Sequence, residues 1–377
     1  FNGPLIYTRN NTFSEVNGIA SVVITHKFNS RHILRAGAYT TGKSFDLAQR
    51  ETVSNLLRDK VKSSGDTRLT NVFAQWKWNI TNRVSLLSGL HAQRFALNAT
   101  SVLEPRFGFR WVGARNQVFS AGVGFHSQIQ PLGNYFARIK IGADSVQPNI
   151  SLGFSRAAHY VIGYAFPFAE KWNFKTELYY QWLYNIPVSS LSRNSFSMLN
   201  QDDDYAITAL NNNGAGKNYG LEITLERYLQ NRFYLLSSVS LYQSQYLPSD
   251  KIWRSTRFNS NSTFTFLMGK EWNIKSKHTS TVSVDVKMIY AGGVRVTPID
   301  LAKSIAQKTT VLDVTRIYEE KLNNIFRIDL QAEWKVQYGK RTGSFIGGVQ
   351  NLLNAKNPVS QSFDPVTKQI RYNYLLG

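Results

Sequence analysis

Strand-like segments follow one another along this chain, and the gaps between them alternate short, long, short, long through about fifteen segments. The short gaps fall at 29–31, 81–83, 115–116, 169–171, 230–231, 275–277 and 339–341. Long polar stretches fall between them, at 51–68, 128–150, 187–216, 247–254, 291–323 and 353–369, with a shorter one at 96–103. A soluble sandwich or propeller has no reason to collect its long connections on one side. Transmembrane β-barrels do, with tight periplasmic turns and longer extracellular loops. The asymmetry predicts an all-β fold, a transmembrane antiparallel β-barrel of the outer membrane.

The segments carry the matching dyad pattern. In 325–338, Phe326, Ile328, Leu330, Ala332, Trp334, Val336 and Tyr338 share one face, and Arg327, Asp329, Gln331, Glu333, Lys335 and Gln337 the other. Val282, Val284, Val286, Met288 and Tyr290 oppose Thr281, Ser283, Asp285 and Lys287 in the same way. So do Val72, Ala74, Trp76, Trp78 and Ile80 against Phe73, Gln75, Lys77 and Asn79, and Tyr219, Leu221, Ile223 and Leu225 against Gly220, Glu222 and Thr224. Each segment alone would equally suit a half-buried strand in water. Many such segments, joined by one-sided loops, point to lipid outside and a wet lumen inside. By phase, the inward residues are Lys77, Gln93, Glu222, Glu226, Asp285, Lys287, Arg327, Asp329, Glu333 and Lys335.

Composition fits. The 23 Phe, 19 Tyr and 8 Trp gather near expected strand ends, at Trp76, Trp78, Trp172, Tyr179 to Trp182, Trp272 and Trp334, where amphipathic rings form the girdles of such barrels. No run of about 18 apolar residues announces a transmembrane helix. Cysteine is absent, which excludes disulfides, thiolate metal sites and cysteine nucleophiles. The net charge of +20 is scattered over strands, turns and loops with no nucleic-acid-binding motif. A basic barrel surface against outer-membrane lipid and anionic lipopolysaccharide, or a basic lumen attracting an anionic solute, needs none.

The first strand, near 16–28, runs into a short turn and so descends; the segment at 372–377 follows a long loop, so it also descends and reads as a strand scarcely begun. The expectation is an odd strand count, targeting sequences lying upstream or already removed, and an open seam where upstream strands would pair.

Several phrases then look familiar. They are Glu104-Pro105-Arg106, the run from Gly122 to Pro131, Ala158-His159-Tyr160, Asn212-Asn213-Gly214, Gly269-Lys270-Glu271-Trp272, the run from Tyr290 to Asp300, Val349-Gln350-Asn351-Leu352-Leu353-Asn354, and Phe363-Asp364-Pro365. In this order, and over nearly the whole chain, they resemble the barrel of TonB-dependent receptors in the form common among Bacteroidota. The resemblance implies a barrel of about 22 strands, of which residues 1–377 would be the C-terminal part, the eighth strand through the start of the last. It implies a plug and N-terminal domains outside this chain, and active import of a metal chelate, glycan or peptide driven by a TonB complex acting through the absent N-terminal region. A surface lipoprotein or other outer-membrane subunits would be possible partners. The inward charges would then be the wall on which a plug rests.

Other chemistry is thin. His91, His126 and His159 lack metal-ligand spacing. The Asp202-Asp203-Asp204 run reads as a solvated loop, 211–216 as a turn re-entering the barrel, and Asp300 as the anchor of its loop. No Ser/His/Asp set is spaced as a hydrolase motif, so neither enzyme activity nor a cofactor is expected. Three functional classes stay open: importer, structural or signalling subunit of an outer-membrane assembly, and barrel enzyme or passive porin. Sidedness is directly testable. Protease added to intact cells should cut within 187–216 and 291–323 and spare 29–31 and 230–231; cleavage at the short turns under a sealed outer membrane would invert the arrangement.

Overall fold

The structure is a computed structural model that describes residues 9–53, 56–141, 144–201, 205–274 and 279–375. The expected turn at 275–277 and the Asp202 to Asp204 run lie outside the described residues. Its first strands are β1 (Arg9–Lys27), β2 (His32–Val53), β3 (Leu56–Asn79), β4 (Val84–Phe95), β5 (Thr100–Val112) and β6 (Val118–Gln128). Then come helix α1 (Leu132–Tyr135), the small pair β7 (Ile139–Ile141) and β8 (Asp144–Val146), and β9 (Ser155–Ala169), β10 (Trp172–Ser189), β11 (Leu210–Gln230) and β12 (Phe233–Leu247). The chain continues through β13 (Arg254–Ser255), β14 (Ser262–Ile274), β15 (Thr279–Ala291), β16 (Arg295–Val296), helix α2 (Leu301–Gln307) and β17 (Glu320–Lys321). It closes with β18 (Ile325–Tyr338), β19 (Arg341–Val349), β20 (Pro358–Asp364) and β21 (Gln369–Tyr374).

One sheet makes the wall. Its order is β1-β2-β3-β4-β5-β6-β9-β10-β11-β12-β14-β15-β18-β19, with β13 paired to β12, and every pairing is antiparallel between chain neighbours. Among the described residues β1 bonds only to β2 and β19 only to β18, so the sheet is open. Among the described residues no helix is long and apolar enough to cross a membrane.

Register shows the two faces as cross-strand rows. Val284 lies opposite Ala332 and Val286 opposite Leu330, while Asp285 lies opposite Gln331 and Lys287 opposite Asp329. Near the short turns, rings cluster on the apolar face: Trp76 stacks on Trp78 at 6.0 Å, Phe168 meets Trp172 at 5.9 Å, and Trp334 stacks on Phe345 at 5.7 Å. Asn29 and Thr81 tie their turns by accepting backbone N–H bonds two and three residues on.

Three expectations change. The stretch 51–68 is paired strand over its described residues, the top of a tall β2–β3 hairpin in register from Val53–Leu56 downward. Its polarity misled because the charges pair across the hairpin, as Arg50 with Asp59 at 2.9 Å, while Leu47 and Val61 are fully buried beneath. The stretch 211–216 is the start of β11, set beside β10 with register shifts around Ile186. Gly214 is needed there because a Cβ would sit 2.7 Å from the Ile186 carbonyl oxygen. The segment 369–374 pairs with β20 in a separate two-stranded sheet rather than joining the wall.

The apolar core sits on the inner face at the loop end. Phe45, Leu47, Val61 and Phe95 of the wall pack against Leu132, Tyr135, Phe136, Leu152 and Phe154 of the 129–154 loop and against Ala206 and Leu210. Inward position therefore means polar wall lower down and loop core higher up.

The two faces should respond oppositely to charge. Val284→Arg or Leu330→Arg should impair insertion, because a cation at mid-bilayer on the lipid face costs about 2–4 kcal/mol. Ser283→Arg or Gln331→Arg should insert normally. Heat-modifiable mobility of outer-membrane fractions on gels reports the difference; equal damage from both pairs would mean the faces are misassigned.

Candidate functional site on the inner wall

The inward residues fall into three groups. In the first, Asp285 and Lys287 of β15 face Arg327 and Asp329 of β18 around one cavity of about 570 Å³. Arg327 Nε donates to Asp329 Oδ1 at 2.6 Å, and the Asn351 backbone N–H adds a second bond to that oxygen at 2.9 Å. Tyr234 of β12 reaches across an intervening strand to give its hydroxyl proton to Asp285 Oδ1 at 2.5 Å. Gly269 makes this possible. It is the register partner of both Tyr234 and Asp285, and the Tyr234 ring occupies the space a Cβ would take.

In the second group, Glu222 lies directly opposite Glu177 across β10 and β11. They line a cavity of about 460 Å³ with Tyr179, Gln181, Asn218 and Tyr242, where Asn218 donates to Gln181 at 3.1 Å. Two carboxylates face to face repel each other.

The third group is one that the sequence reading passed over. Glu104 of β5 is 1 % exposed and collects three donors: His91 Nδ1 at 2.8 Å, Gln93 Nε2 at 2.6 Å and Arg106 Nη2 at 2.8 Å. Gln93 also donates to the Ser127 carbonyl. Beside it the His126 and His159 rings lie 4.7 Å apart. The three histidines thus come together through register, around a carboxylate; among the described residues no group of three or more acidic, His or Cys side chains forms a metal site.

The remaining expected inward residues stand apart. Glu333 and Lys335 approach each other at 3.5 Å; Glu226 lies low on the wall between Asn173 and Leu236, and Lys77 between Ile33 and Leu87.

Above the third group the loops form a roof. A cavity of about 470 Å³ has His126, Gln128, Gln130 and His159 on its wall side and Met198 and Leu199 on its loop side. Two buried asparagines join the loops: Asn134 Oδ1 accepts from Ala206 N at 2.7 Å, and Asn149 accepts from Leu210 N while donating to the Asn134 and Thr208 carbonyls. The Tyr135 hydroxyl accepts from Gln130 N, and burial pushes its pKa up to about 12. Further round, Asp300 caps α2 by accepting from Lys303 N at 3.0 Å, and the Lys303 ammonium holds its carboxyl below the usual range. Asp300 anchors its loop, as the sequence suggested.

The family model for the TonB dependent receptor-like β-barrel matches residues 1–352, and the chain belongs to that family. It is therefore a wall of an outer-membrane β-barrel. It resembles the FrpB iron transporter from Neisseria meningitidis with a TM-score of 0.61 at 14% identity, covering 92% of this chain and 52% of that one. The ferric-catecholate import receptor Fiu from E. coli K12 gives 0.64 at 12%, covering 97% and 54%. The ferripyoverdine receptor of Pseudomonas aeruginosa gives 0.64 at 12%, covering 97% and 47%. At such identities the likeness is one of fold. The chain spans about half the length of these structures. No curated protein sequence matches it.

Three substitutions probe the groups. Glu104→Ala takes the buried acceptor from His91 and Gln93 while the half-exposed Arg106 turns to water, and should cost about 1–3 kcal/mol, read as a lower urea midpoint by tryptophan fluorescence. Gly269→Val should displace Tyr234 and so cancel the effect of Tyr234→Phe; additive effects of the two would show that the bond does not depend on the glycine.

Proposed function

We propose that this chain is the C-terminal part of the barrel of a TonB-dependent importer, of the form common among Bacteroidota, whose substrate is a metal chelate, glycan or peptide. One observation carries the reading: the inner wall is a set of separate polar groups, open to the lumen, under loops already folded over it. A plug supplied by the remainder of the protein rests on that wall through Lys77, Glu222, Glu226, Asp285, Lys287, Arg327, Asp329, Glu333 and Lys335. Such contacts are made and broken through water without exposing an apolar core. The facing Glu177 and Glu222 seat a plug cation. The TonB complex acts on the N-terminal region, and substrate is held first beneath the loop roof, between the polar wall at His126 and Gln128 and the apolar cover at Met198 and Leu199. Open edges on β1 and β19, and a length about half that of similar structures, support further strands closing the wall.

Uptake by cells carrying the full-length gene, with and without collapse of the proton-motive force, tests the reading. Import that stops on collapse is expected. Undiminished transport would make the barrel a passive pore, and no transport with co-purifying subunits would make it part of a structural or signalling assembly.

A further inference from the structure

The outer face of β9, β10 and β11 carries an ordered ladder of side chains. Ile162, Leu178 and Leu221 form one cross-strand row. Tyr160, Tyr180 and Tyr219 form the next row toward the loops, with ring centroids 6.4 Å apart across each pair. Together these six enclose a shallow, nearly wholly apolar groove of about 620 Å³. One step higher come Ala158, Trp182 and Lys217, and one step above those Arg156 and Tyr184. Both cations are held in place by rings: Lys217 Nζ sits 4.5 Å from the centroid of Trp253, which packs on Trp182, and Arg156 lies over Tyr184 at 5.5 Å.

Height locates this ladder in the membrane. Trp172, at the periplasmic end of β10, and Trp182 are ten residues apart. At a rise near 3.3 Å and a tilt near 40° that is about 25 Å, the thickness of the apolar band of such barrels. The groove is therefore in the outer leaflet, and Arg156 and Lys217 are at its headgroup level. The outward positions of these three strands, from Arg156 to Tyr164, Phe174 to Tyr184 and Lys217 to Leu225, contain no carboxylate, whereas Glu177 and Glu222 point inward. Arg156 Nε is buried and has no hydrogen-bond partner among the described residues, while the side chain as a whole stays partly exposed.

We propose that this face is a binding site for one diphosphorylated glycolipid of the outer leaflet, of the lipid A type. Charge complementarity selects the occupant. The two cations stand two strands apart, on the order of 10 Å, which suits a headgroup with a phosphate at each end and not a glycerophospholipid with one. An acyl chain fills the groove over Ile162, Leu178 and Leu221, the sugars lie on the tyrosine row, and the phosphates meet Lys217 and Arg156. The groove is on the opposite face from the loop-roofed cavity, and site and cavity share only Arg156, at the top of β9.

Native mass spectrometry of the full-length protein in detergent, titrated with diphosphoryl lipid A, monophosphoryl lipid A or dioleoylphosphatidylglycerol, tests it. One diphosphoryl lipid A should bind at least tenfold more tightly than phosphatidylglycerol, with the monophosphoryl form between. The double variant Arg156→Gln, Lys217→Gln should lose that preference while keeping heat-modifiable mobility. Leu178→Ala should weaken all three lipids and preserve their order. Equal binding of the three lipids by the wild-type protein, which requires no variant to fold, would overturn the proposal. So would an unchanged preference in the double variant.

Discussion

Within the hydrocarbon of a bilayer, a backbone amide or carbonyl without a partner costs several kcal/mol, and no water is there to supply one. The structure is organised around that constraint. Fourteen strands follow one another in the wall, each bonded to its chain neighbour. Once the ladder fixes register, every side chain is assigned to lipid or to lumen, because a slip by one residue would exchange the faces along a whole strand. The regularity of Val284 beside Ala332 and Asp285 beside Gln331 follows from the backbone, not from attraction between those side chains.

The inner face has a freedom the outer one lacks. Water can satisfy polar atoms there, so charged groups accumulate where register brings them together, and each group has its own local logic. Around Glu104, three donors converge on one buried carboxylate. Around Asp285, an omitted side chain at Gly269 lets a tyrosine cross a strand. At Glu177 and Glu222 the like charges are left facing each other. Satisfied, bridged and facing like-charge groups thus alternate on one continuous surface.

Much of the wall was legible in the sequence because alternation and turn spacing are local. The failures were non-local. Residues 51–68 looked like a loop because their charges are matched across the hairpin, as Asp59 with Arg50, and Val61, like Leu47 on the facing strand, is buried by a loop some seventy residues away. Asn211 to Gly216 has turn composition, yet Gly214 serves close packing against the Ile186 backbone and Val188 rather than a bend. The pairing of His91 with Glu104 could have been found, since both lie equally far from the turn at Leu97 and Asn98 and so must face each other in a regular hairpin. His126 and His159 meet across a connection of irregular length, and no pattern within either segment announces it.

The loop roof separates two duties. Leu132, Tyr135, Phe136, Asn134 and Asn149 hold the 129–154 loop to the wall and to its neighbour, all from buried positions. Met198, Leu199 and Gln201 line the cavity from another part of the roof. Substitution at Leu199 or Gln201 can therefore reshape the cavity without dismantling the residues that keep the roof in place, whereas Met198 belongs to both, since it also packs on the core.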